Sequence, residues 1–150
     1  MQKIYAPNRR IVEQVLLATV NFGVSIRKRN SNPPVYESPI INMFHNADMG
    51  LLAEDKRGLI NVANLLAAEM FGYEMIEFVS TPSENLVPER FRQAREKLFR
   101  RILEERIVVE LDGLRMDKAG KEVPIHAWVF PYKLGKEYSI AAAIRKRYIS

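Results

Sequence analysis

Three strand-like runs stand close together near the C-terminal end of the chain: residues 107–116, 122–130 and 138–144. The first is joined to the second by Asp117-Lys118-Ala119-Gly120, and the second to the third by residues 131–136. Two shorter runs, residues 51–54 and 59–62, flank Asp55-Lys56-Arg57-Gly58, a turn whose last position is Gly, and so pair as a hairpin. Helical segments separate the two groups. Strand, strand, helices, strand, strand, strand is an α+β order. Its natural packing is an antiparallel sheet with the helices segregated to one face.

The helical segments are readable from their edges. Residues 65–70 are good helix formers, and residues 80–84 read as loop. Pro88 suits the first turn of a helix running to Glu105, where a missing N–H costs little. Phe91, Ala94, Leu98 and Ile102 mark its buried face. Arg90, Arg92, Arg95, Lys97, Arg100 and Arg101, mixed with Glu96, Glu104 and Glu105, read as its solvated face. A nucleic-acid surface would not be interleaved with acids in this way.

The N-terminal segment has two periods. Asn8 is a plausible N-cap, and Val12, Val15, Thr19, Phe22 and Ile26 recur as on an amphipathic helix. Yet Val20, Phe22, Val24 and Ile26 also alternate with polar or small residues, as in a strand. The expectation is helix from residue 8 to about residue 20, continuing to Arg29, with strand as the alternative for residues 20–29. Asn30-Ser31-Asn32-Pro33-Pro34 is a linker. The chain therefore divides into an N-terminal helical segment with its linker, residues 1–40, and a folded domain, residues 41–150.

Composition narrows the function classes. The chain has 150 residues, a net charge of +5 and no cysteine. The absence of cysteine excludes disulfides, thiolate metal sites and a cysteine nucleophile, and fits the cytosol. The apolar stretch 11–26 contains Glu13, Gln14 and Asn21. It is too short and too polar for a membrane span, and Glu13 spoils it as a signal peptide. The basic residues are spread among glutamates, so the charge reads as a solvated surface rather than a nucleic-acid site. His45 and His126 lack the neighbours a metal site needs and read as structural or solvent-facing. Met43, Met49, Met70, Met75 and Met116 read as core filler.

One ordered set of motifs goes further. Asn64 follows the second strand; then come Phe71-Gly72-Tyr73, Leu86-Val87-Pro88-Glu89-Arg90 and, later, Val123-Pro124-Ile125 after Gly120. Their succession and spacing resemble the PAS domain, a sensory module of bacterial signalling proteins. The resemblance spans about two thirds of the chain and leaves out residues 1–40. It implies a five-stranded antiparallel sheet whose helices enclose a small apolar cavity. It also implies a non-catalytic sensory or dimerisation module coupled to an output domain or partner protein. Haem-binding members carry an axial His on the long helix, where this chain has Arg95. A guanidinium that stays protonated has no lone pair for iron, so haem by that route is not expected. Light-sensing members need a reactive Cys, which is absent. A non-covalent flavin or another small ligand stays open. The usual closing Arg-Asp-Ile-Thr reads Arg145-Lys146-Arg147-Tyr148, which puts coupling through the C-terminus in doubt.

Alternate residues of a strand face opposite sides. By the resemblance, Ile125, Ala127 and Val129 face the cavity, joined by Val109, Leu111 and Gly113 on the third strand and Ile140 and Ala142 on the fifth. None carries a charge or a hydrogen-bonding side chain. Such a wall suits either a filled core that serves protein contacts or a pocket for an apolar or aromatic ligand. A small α+β enzyme would need a carboxylate or His aimed inward, and these positions supply none. The opposite set, His126, Trp128 and Phe130, would be a large apolar patch if exposed. The amphipathic segment carrying Val12, Val15 and Phe22 is its expected cover, either within the chain or across a homodimer.

Overall fold

The fold is seen in a computed structural model that describes Tyr5 and residues 7–26 and 38–148. The strands are β1 (Gly50–Glu54), β2 (Ile60–Ala63), β3 (Val109–Met116), β4 (Glu122–Leu134) and β5 (Glu137–Lys146). They form one five-stranded sheet in the order β2-β1-β5-β4-β3. Every pairing is antiparallel. In the β1–β2 turn, Gly58 has φ +77°, a left-handed conformation that a residue with a Cβ adopts only with strain. The Asp55 side chain accepts from the Arg57 and Leu59 amides and closes the same turn.

The connection expected at residues 131–136 is mostly strand. β4 runs on to Leu134, leaving only Gly135-Lys136 as the turn into β5. Pro131 is tolerated because β3 stops pairing at Val129, so that flank of β4 is an edge where an amide N–H is not needed.

Two layers of helix sandwich the sheet. On one face lie α3 (Leu65–Met70), α4 (Met75–Phe78) and α5 (Arg92–Glu105). α4 lies in a stretch given no element by the sequence reading; four residues are too few to show a period. Residues 88–91 are a 3-10 turn, Glu89–Phe91, leading into α5. On the other face lie α1 (Arg9–Thr19) and α2 (Pro39–His45). Asn8 caps α1 by accepting from the Arg10 and Ile11 amides. The expected helical continuation to Arg29 does not occur within the described residues. A 3-10 turn, Val20–Phe22, ends at Gly23, whose φ of +74° breaks the helix, and Ile26 bridges to Ala47. Residues 27–29 and the 30–34 linker lie outside the described residues.

The phase of α5 also differs from expectation. Ala94 is exposed and Phe91 is 41% exposed, whereas Arg95 and Phe99 turn inward with Leu98 and Ile102. Met43 is exposed as well, against the expectation of core filler. Among the described residues no helix is long and apolar enough to cross a membrane.

Candidate functional site

Two cores result, one on each face of the sheet. The inner core contains Ile125, Ala127, Val129, Ile140 and Ala142, all buried, with Val109 and Leu111 packed at its margin. Gly113 pairs with Ile125 and lies on the same face. A small cavity of about 40 Å³ opens between this face and α5. Ala127, Val129, Ile140 and Ala142 line it together with Leu52 and Phe99.

One end of the cavity is charged, which corrects the expectation of a wholly apolar wall. Glu54, Ser83, Arg95 and Arg115 all line it. Arg95 Nη2 donates to Glu54 Oε2 at 2.9 Å. It also donates to the Ser83 hydroxyl, and that hydroxyl in turn donates to Glu54. The Arg95–Glu54 pair is 16% and 11% exposed, well inside the fold rather than on a solvated helix face. Burial pushes the Glu54 carboxyl up, while Ser83 and Arg95 pull it back down. A carboxylate aimed at the cavity therefore exists, contrary to the sequence reading. It is already engaged by both a hydroxyl and a guanidinium.

Arg115 is different. It sits two residues beyond Gly113 on the inward side of β3, and its guanidinium folds back over Gly113. A Cβ on that glycine would lie 3.5 Å from Arg115 Nη1. Nη1 donates to the Leu114 carbonyl at 2.9 Å. No carboxylate among the described residues comes within ion-pair distance of it. Burial, with the Arg95 charge close by, lowers Arg115 to about 10.

The outer set lies under the N-terminal segment of the same chain. Val12 and Val15 are fully buried against Phe130 and Tyr132 in the outer core. Phe22 stacks on Trp128, with ring centroids 5.3 Å apart and planes 17° apart. His126 lies at the rim. Asp112 meets its Nδ1 at 2.5 Å and Glu110 its Nε2 at 2.7 Å. Those two contacts, Asp112 first, raise the His126 pKa. His45 is buried, and its Nδ1 accepts the Leu65 amide.

Residues 20–146 match the MEKHLA domain. The chain belongs to the MEKHLA domain family. This family is PAS-like, and solved PAS domains share the fold of this MEKHLA domain. One, from a protein of Colwellia psychrerythraea, is 14% identical, with a TM-score of 0.64 over 69% of this chain and 90% of that one. Another, from a LuxR-family transcriptional regulator of Burkholderia thailandensis in complex with ethanol, is 16% identical. Its TM-score is 0.57 over 69% of this chain and 92% of that one. A variant of Vivid is 16% identical, with a TM-score of 0.61 over 98% of this chain and all of that one. No curated protein matches the chain. At these identities the likeness to solved structures speaks for the fold of the MEKHLA domain.

Proposed function

We propose that this MEKHLA domain is a non-catalytic sensory module of a bacterial, cytoplasmic signalling protein. It takes a small ligand in the cavity between α5 and the sheet and passes the change to an output domain or partner. The observation that carries this reading is the charged cluster of Glu54, Ser83, Arg95 and Arg115 at one end of an otherwise apolar cavity. Burying charge is costly, and a plain core is better served by apolar residues. PAS domains of sensor kinases and regulators share the fold, and the Burkholderia domain is in complex with ethanol, a molecule of a size this cavity could take.

Glu54 does not by itself argue for an enzyme. Its Oε2 accepts from both Ser83 and Arg95, so it serves as an anchor for them. A second reading, a protein-interaction module with a filled core, draws support from the small cavity volume of about 40 Å³. Native mass spectrometry of freshly purified protein separates the two. A reproducible bound mass that Ala127→Phe abolishes supports the sensor; an apo mass, with no small molecule raising the melting temperature, supports the filled core.

The homodimer suggested by the sequence needs a different surface, because the sheet face around Trp128 and Phe130 is covered within the chain. The outward side of α1 and the 3-10 turn after it, with Leu17 74% and Val20 64% exposed, offers one surface to a second copy. Sedimentation of the wild type against Leu17→Glu tests it; a wild-type monomer at high concentration excludes it.

A further inference from the structure

The charges in the inner cavity do not balance. Arg95 is matched by Glu54, but Arg115 brings a second cation with no acid beside it among the described residues. A guanidinium has five N–H donors in a planar fork suited to a carboxylate. Among the described residues, Arg115 hydrogen-bonds only to its neighbour's carbonyl, which leaves most of the fork uncommitted. Ser83 offers a ligand no free donor in place of that fork, because its single O–H is donated to Glu54.

The rest of the wall sets the size and polarity of what would fit. Ala127, Val129, Ile140 and Ala142 offer only hydrocarbon, and the volume of about 40 Å³ admits only a few heavy atoms. The guanidinium packs beside Gly113, within ordinary van der Waals contact of where a Cβ would stand there. A dianion would overshoot the single excess charge. A neutral molecule would leave the excess charge unbalanced.

We infer that the cavity is a site for a short-chain monocarboxylate, its carboxylate on the Arg115 fork and its alkyl end against Ala127, Val129, Ile140 and Ala142. This rests on reading the cavity as a ligand site and adds the chemical class. Burial of a guanidinium without an acid is then the cost of a preformed anion seat, relieved when the ligand arrives.

The test is a titration of the full chain with acetate, propionate and butyrate beside propionamide, propanol and propylamine at constant ionic strength. Binding is read by calorimetry and by two-dimensional NMR of the arginine Nε–H and the valine and isoleucine methyls. The carboxylates should bind saturably, moving one arginine Nε–H signal together with methyls of Val129 and Ile140. Arg115→Met should weaken them by about tenfold or more, and Arg115→Lys, a cation without the fork, by less. If Arg115→Met fails to fold, the wild-type NMR response decides alone. Propanol or propionamide binding as well as propionate, with Arg115→Met indifferent, overturns the carboxylate class but leaves a ligand cavity. No response to any of the six molecules overturns the class and the ligand reading together.

Discussion

Asn64 and Leu51 hydrogen-bond in both directions: the Leu51 amide donates to Asn64 Oδ1 at 2.9 Å, and the Asn64 amide donates to the Leu51 carbonyl at 2.9 Å. The same Asn64 side chain accepts the Ala67 amide at the start of α3 and donates to the carbonyls of Phe44 and Met49. It therefore ties α2, β1 and α3 together with every donor and acceptor engaged. Asn64→Ala should cost about 3 kcal/mol or more, since it orphans several buried backbone groups at once. Asn64→Asp should be nearly as damaging although Asp is a good N-cap, because a carboxylate faces two carbonyls there. Urea unfolding of the two variants measures this. A mild Asn64→Asp effect would mean that the cap alone matters.

The Glu54–Arg95 pair should behave as a buried unit. Either Glu54→Met or Arg95→Met strands the other charge and should destabilise by about 3 kcal/mol. The double variant should recover much of that loss, though Arg95 also lies over the Phe99 ring at 4.1 Å. A double-mutant cycle on chemical denaturation reads the coupling; simple additivity would show that the pair is solvated.

His126 makes stability depend on pH. Its pKa is raised in the fold by Asp112 and then Glu110, while Arg145 and Arg147 stand nearby. A raised pKa means that the folded state holds the proton more tightly. The contribution is then full below about 6.5, the unfolded value, and disappears as pH rises through the folded pKa. The site is exposed, so the effect should be small and salt-sensitive. Thermal melts of the wild type and His126→Gln across this window, at low and high salt, should converge at alkaline pH. A wild-type advantage that grows with pH would contradict the assignment.

Trp128→Ala removes the partner of Phe22 and should loosen the N-terminal cover. Trp128 is only half-buried, so the cost should be about 2 kcal/mol, below that of a full core truncation. Limited proteolysis should then cut within residues 7–26 before the rest of the domain. Unchanged protease resistance would mean that Val12 and Val15 hold the segment without the ring stack.

Much of this architecture is legible from local pattern. The succession of strands and helices along the chain, the 65–70 helix and the Asn8 cap follow from period, propensity and end signals. Ile125, Ala127 and Val129 lie on the face covered by α3, α4 and α5. The charged cluster escaped for a physical reason. Alternation continues from Gly113 to Arg115 and from Leu52 to Glu54, but counting only apolar positions stops one step too soon. The phase of α5 escaped similarly. Arg95 turns inward because Glu54, far away in sequence, is there to meet it, and no local window contains both. Gly23, read as one small residue in an alternating run, was the signal that the N-terminal helix stops.

Trp128 is the sole tryptophan of the chain, and it is the residue on which Phe22 lies. Its emission therefore has a single origin, at the seam between the N-terminal cover and the sheet. Detachment of that cover would expose the indole to water and shift its fluorescence to the red, while the inner core stays optically silent. The domain thus carries its own dye at a place where residues before the sheet meet it, and undocking can be followed in real time without labelling.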